Sequence, residues 1–168
     1  MKLSNIFTLS LGLVLAIGVS SCNKDNKRVE DFSYSFNTGQ VAAAYAYDGD
    51  HPSTLGATMQ LVGEKDGTMI SVTLSNTVNG EMYNIHAHDA ADAATTPNGT
   101  PYDETPNAAL FTQMLTGTGG AVTVSQKTTM TVTEITETYE GFFVVHDPLQ
   151  PITTVDPTTY VILGSFAR

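Results

Sequence analysis

From Asp31 onward the chain alternates apolar and polar residues in short runs, each closed by turn-forming residues. A period of two puts successive side chains on opposite faces of an extended strand, so the pattern describes half-buried strands and not helices with an apolar stripe. Candidate strands are Phe32 to Asn37, Val41 to Tyr47, Gly56 to Val62, Thr68 to Ser75, Met82 to His88, Leu110 to Thr116, Ala121 to Gln126, Thr128 to Ile135, Gly141 to His146 and Tyr160 to Ala167. Asp48-Gly49-Asp50, Lys65-Asp66-Gly67, Asn79-Gly80 and Gly117 to Gly120 supply turn chemistry between them. Eight or more short strands at this spacing predict an all-β domain, an antiparallel sandwich or barrel. Asn107 to Leu115 has room for one helical turn, and there is no internal repeat.

Two stretches break the rhythm, Asp89 to Asn107 and Asp147 to Thr159. They hold six of the seven prolines: Pro97, Pro101, Pro106, Pro148, Pro151 and Pro157. Long loops on a β scaffold often carry function, and proline restricts their wandering. Each begins directly after a histidine.

The first residues have a different design. Lys2 precedes an apolar run from Ile6 to Val19, which is the size of a secretory leader core and too short to span a bilayer. The run ends in Val19-Ser20-Ser21-Cys22, which resembles a bacterial lipobox, where small residues precede a cysteine that receives lipid before the leader is cut. The resemblance implies a leader over residues 1–21, lipidation at Cys22, a polar tether over 22–30 and a domain over 31–168. It also implies a membrane partner through the lipid, and an address in the bacterial cell envelope. Cys22 is the single cysteine, so the domain has no disulfide and depends on its core.

Charge excludes another class of partner. Seven Lys plus Arg against seventeen Asp plus Glu give a formal charge of −10, so nucleic acid is not an expected partner.

The four histidines are His51, His86, His88 and His146. In an extended Tyr83 to His88, residues two apart share a face, which places His86 and His88 side by side with Cα atoms about 6.6 Å apart. His146 closes the apolar run Phe142-Phe143-Val144-Val145, again at a strand end before an acidic residue and a proline-rich loop. Three imidazoles so placed suit Cu(II) or Zn(II) and suit Ca or Mg poorly. A plain reading competes with this one, in which all three are polar strand-end residues. Asp89, Asp92 and Asp147 are alternative carboxylate ligands, although solvated loop charge is their more ordinary role. In a simple up-and-down meander, His51 lies at the opposite end from His88, exposed and remote.

The segments Leu55-Gly56-Ala57-Thr58-Met59, Ile85-His86-Ala87-His88, Gly119-Gly120-Ala121-Val122-Thr123-Val124, Gly141-Phe142-Phe143-Val144-Val145-His146-Asp147 and Val161-Ile162-Leu163-Gly164 resemble the copper-zinc superoxide dismutases in order and spacing. That resemblance implies an eight-stranded antiparallel Greek-key barrel or sandwich, with His86, His88 and His146 as copper ligands. The chain departs from the family in four places. No histidine lies between Asp89 and Asn107 to bridge two metals, so zinc is not expected. The family's zinc ligands and disulfide are missing, and Pro157-Thr158-Thr159 stands where its guiding arginine would be. A looser resemblance is to chordin-type domains, which also pair a His-x-His strand with a later Val-His strand. The expectation is therefore an envelope lipoprotein that binds copper through three histidines and has poor dismutase activity, against a structural or adhesive module without metal. The protein that donates or accepts the metal is unknown.

Overall fold

Strand β2 (Gly56–Glu64) shows how the alternation builds the domain: Ala57, Met59 and Leu61 are buried, and Thr58 and Gln60 between them face water. Its neighbour β3 (Gly67–Ser75) repeats this with Ile70, Val72 and Leu74. The two are joined through Lys65-Asp66-Gly67, where Gly67 takes φ +126°, a conformation open to glycine and strained for other residues. The computed structural model describes residues 27–92 and 99–168. Residues 1–26, including Cys22, and residues 93–98 lie outside that description.

Among the described residues nine strands form two sheets. One holds β1 (Val29–Ser35), β2, β3 and β7 (Val122–Thr128), in the order β1-β2-β3-β7. The other is ordered β5-β4-β8-β9, with β4 (Met82–Ala90) at its centre beside β8 (Gly141–His146), β9 (Tyr160–Ser165) outside β8, and β5 (Tyr102–Pro106) on the far edge. A further strand, β6 (Thr112–Thr116), pairs with β4 on residues Met82 to His86, so β5 and β6 together line that edge. All pairings are antiparallel. The chain crosses between the sheets at β3–β4, β6–β7 and β7–β8, a sandwich and not a closed hydrogen-bonded barrel.

Inward-facing Met59, Leu61, Ile70, Val72, Tyr83, Ile85, Phe143, Val145 and Ile162 fill the space between the sheets. Side chains close the two open seams. Tyr34 of β1 donates its hydroxyl to the Ser165 carbonyl and accepts from Ala167 N–H, while its ring packs on Phe143. At the opposite seam Gln126 of β7 accepts from Thr112 N–H and Gln113 Nε2 and donates to the Ala108 carbonyl. Both contacts satisfy edge groups that would otherwise be open to pairing with another chain.

Several segments differ from the sequence expectation. The first strand starts at Val29, and the second expected strand, Val41 to Tyr47, contains only a 3-10 turn, Ala43–Tyr45. Asn37 holds that segment as a strap, donating its Nδ2 to the carbonyls of Tyr45 and Tyr160. Val41 and Tyr45 then cover a second apolar cluster, Tyr102, Val144, Tyr160 and Leu163, on the outer face of the five-stranded sheet. Thr128 to Ile135 likewise turns out of the sheet after Thr128 into a π-helical turn, Glu134–Thr138. A capping box starts it: Glu134 Oε2 accepts from Thr131 N–H, and Thr131 Oγ1 accepts from Glu134 N–H. The supposed loop Asp89 to Asn107 contains β5, which tolerates Pro106 because an edge strand can spare an N–H. Asn107 does cap a single turn, accepting from Leu110 N–H through Oδ1 and from Phe111 N–H through its carbonyl.

Candidate metal centre

Strand parity decides which face the histidines take. Tyr83, Ile85 and Ala87 of β4 are fully buried between the sheets, so His86 and His88 point to the outer face. On β8 the register pairs His86 with Val144 and Ile85 with Val145, which leaves His146, one residue on, facing outward with His86. A register shift between Val145 and His146 aligns His146 with Tyr160 at the start of β9. The close approach of β8 to β4 near His88 depends on Gly141, because a Cβ there would lie 2.5 Å from the His88 carbonyl oxygen.

The three imidazoles converge. Ring centroids are 5.8 Å apart for His86 and His88 and 5.1 Å apart for His86 and His146. One nitrogen from each ring lies within 4.8 Å of the other two. His88 and His146 are buried and His86 is half-buried. Among the described residues the buried nitrogens His86 Nδ1, His88 Nε2 and His146 Nε2 have no hydrogen-bond partner. An orphaned buried polar atom costs about 1–3 kcal/mol, so three in one place mark a site shaped for something that accepts their lone pairs.

His88 has its tautomer set. Its Nδ1 lies 2.7 Å from the Asp103 carbonyl, which can only accept, so Nδ1 carries the proton and Nε2 presents a lone pair. Burial, with the neighbouring imidazoles, pushes His86 down to about 4 and His146 down to about 3. Burial also lowers His88, opposed by its bond to the Asp103 carbonyl and by the charges of Asp103 and Asp89. At neutral pH all three are neutral ligands. Three histidines close together in this β-sandwich can hold a metal ion.

Among the described residues no carboxylate joins this group. Asp89 Oδ1 accepts from Tyr139 Oη and Asn107 Nδ2. Asp147 is not a solvated loop charge: it is buried, with Oδ2 accepting from Tyr47 Oη and Oδ1 from Leu149 N–H.

His51 also departs from expectation. It stands outside the metal group, as its place in the chain suggested, but it is 5% exposed instead of projecting into water. Its ring stacks on Phe36 and meets Tyr83 edge-on. Tyr83 Oη accepts from Val78 N–H and so donates to His51 Nε2, while His51 Nδ1 donates to the Pro52 carbonyl. The imidazole is saturated by protein partners, which gives it a structural role.

Two residues that sequence reasoning missed complete the surroundings. Tyr102 packs against His88 at 5.2 Å, Tyr160 against His146 at 4.7 Å, and the two tyrosine rings are 5.7 Å apart. With the two histidine contacts these make a closed circuit of five rings, His86, His88, Tyr102, Tyr160 and His146. Both phenol oxygens are buried, and they interact with each other and with no further hydrogen-bond partner among the described residues. Burial pushes Tyr102 up to about 12 and raises Tyr160 further, so both remain neutral phenols. A lone aromatic within a proline-rich loop, Tyr102, was the available signal.

Comparison with protein-family models, with curated proteins and with solved structures finds no match for this chain.

Proposed function

We propose that the protein is a lipid-anchored component of the bacterial envelope that binds one copper ion through His86, His88 and His146, for storage or transfer. The observation that carries this reading is the convergence of three imidazoles, each with one nitrogen within 4.8 Å of the other two and each with a buried nitrogen that has no hydrogen-bond partner among the described residues. A nitrogen-only donor set without thiolate or carboxylate favours copper among the divalent first-row ions, whose affinities peak at Cu(II). The resemblance to the copper-zinc superoxide dismutases belongs to this proposal too. The order of the two sheets and the crossings between them are consistent with a Greek-key sandwich, with β5 and β6 sharing the place of one edge strand.

Copper bound there would supply a one-electron couple. The protein's own residues hold neutral imidazoles in place and exclude water from their inner nitrogens. The stretches that follow His88 and His146, residues 89–107 and 147–159, carry no Lys or Arg that would draw in an anionic substrate, and of the described cations Lys127 pairs with Glu64 and Arg28 with Glu30 and Glu137. This favours holding metal over fast dismutation. The lipid on Cys22 is proposed from the lipobox resemblance alone.

The test is titration of the untagged mature protein with Cu(II) against a competing chelator, read by electron paramagnetic resonance. One equivalent with nitrogen hyperfine coupling is expected, and equal binding by His86→Ala, His88→Ala and His146→Ala would remove the site. For the anchor, Cys22→Ser is expected to move the protein from the membrane fraction to the soluble one.

A further inference from the structure

The outer face of β4 and β6 carries a second set of metal-binding atoms. Met82 is 54% exposed and Met114 is 61% exposed. Val29, Met82 and Met114 are the large apolar side chains in described strands that are exposed to this degree. Methionine is an unusual choice there, because a solvent-facing strand position is ordinarily filled by Thr or a charged residue. Parity puts Met82 on the same face as His86, and Met114 faces that way as well, since Leu115 beside it is buried in the core.

The register then fixes their spacing. Met82 pairs with Thr116, Asn84 with Met114, and His86 with Thr112. Met114 is thus the diagonal neighbour of both Met82 and His86. Diagonal pairs are about 7–8 Å apart and within reach of long side chains. Thr112, directly opposite His86, adds a buried hydroxyl with no hydrogen-bond partner among the described residues. Along the paired strands the order is Met82, Met114, then His86.

Thioether sulfur is a soft ligand that favours monovalent copper over Zn(II), Ca(II) or Mg(II). We propose that Met82 and Met114 form a separate docking site for a soft monovalent ion, Cu(I), on the path to the histidine centre. This rests on the reading of that centre as a copper site. The step is ligand exchange without electron transfer: the ion leaves its previous ligand, is held by two sulfur lone pairs, and is within reach of an imidazole. Flexible, exposed thioethers suit this role because they hold an ion weakly enough to release it.

Ag(I), a redox-inert counterpart of Cu(I), is the probe. The mature protein labelled at its methionine methyl carbons is titrated with Ag(I) and followed by NMR. The Met82 and Met114 methyl resonances, identified by their loss in Met82→Leu and Met114→Leu, are expected to shift together and saturate near one equivalent. The buried Met59 methyl should stay in place. The double leucine variant keeps apolar bulk at exposed positions and is expected to fold normally, with Ag(I) affinity at this face falling about tenfold or more. Unmoved Met82 and Met114 methyls, or shifts no larger than that of Met59, would overturn the proposal. Cu(II) binding by the double leucine variant judges the histidine centre separately: one equivalent upholds the histidine reading whatever Ag(I) does, and none overturns it.

Discussion

His88 donates its Nδ1 proton to the backbone carbonyl of Asp103 at 2.7 Å. That bond joins the central strand β4 to the edge strand β5 and decides which nitrogen of His88 keeps its lone pair, the unpartnered Nε2. A backbone carbonyl can only accept, so while His88 is neutral its proton stays on Nδ1.

Removing one imidazole from the centre is expected to weaken Cu(II) binding by about 10–100-fold or more, since two remaining nitrogens hold the ion less well. His51→Ala should bind Cu(II) normally and lose stability instead. Its loss strands the Tyr83 hydroxyl in the core, at about 1–3 kcal/mol. Urea unfolding beside metal titration separates the two effects, and weakened Cu(II) binding in His51→Ala would contradict the assignment.

The double variant Tyr102→Phe/Tyr160→Phe is expected to leave the metal-free protein as stable or make it more stable. It removes both members of a buried phenol pair that interact with each other and have no other hydrogen-bond partner among the described residues, whereas either single change strands the remaining hydroxyl at about 1–3 kcal/mol. Denaturant midpoints measure this. Destabilisation of the double variant by more than about 1 kcal/mol would show that the hydroxyls are otherwise satisfied.

Acidity should act on the metal-free fold in a defined window. An unfolded histidine titrates near 6.5, whereas folded His86 and His146 titrate at about 4 and about 3. Between those values the unfolded chain takes up protons that the folded chain refuses, so stability falls as the pH drops from 6.5 towards 4. The slope is up to about 1.4 kcal/mol per pH unit for each such histidine. Thermal unfolding at pH 7.5, 6, 5 and 4 tests this, and histidine-to-alanine variants should flatten the slope. A flat profile in the parent protein would contradict the burial of these imidazoles.

Gly141→Ala is expected to damage both fold and site. Its Cβ would lie 2.5 Å from the His88 carbonyl and 2.4 Å from the Tyr139 hydroxyl, so β8 must move away from β4 where the histidines are set. A loss of several kcal/mol is expected, in the range of severe overpacking. Cu(II) affinity should fall with it, whereas Gly80→Ala, with open space around its Cβ, should cost only the strain of its positive φ.

The copper-loaded protein is expected to dismutate superoxide little faster than free copper complexes do, with weak dependence on salt. Between Asp89 and Thr159 the sequence holds one cation, Lys127, and it pairs with Glu64, while Arg28 pairs with Glu30 and Glu137. Fast capture of an anion needs unopposed positive charge near the site. A rate near the diffusion limit that drops steeply with added salt would overturn this expectation.

Much of the architecture was legible because a period of two survives wherever one strand face meets the core. That pattern located β2, β3, β4, β8 and β9, and parity alone placed His86 and His88 on one face. It misread Val41 to Tyr47 and Thr128 to Ile135, because alternation also arises where a segment covers another surface or enters a capped turn. Thr131 and Glu134 were a readable capping box, but the expected strand ran through them. β5 was hidden by Pro101 and Pro106, which are tolerated at an edge.

The amino-acid sequence by itself determined the strand alternation, the shared face of His86 and His88 and the absence of a disulfide in the domain, because the first two depend on residues close together in the chain and the last on its single cysteine. Tertiary structure alone decided that His146 meets His86, that His51 and Asp147 are buried, and that Tyr102 and Tyr160 complete the circuit of rings. Those relationships join residues 14 to 100 positions apart. They follow from which strands pair and in what register, and that is settled only when the whole core closes.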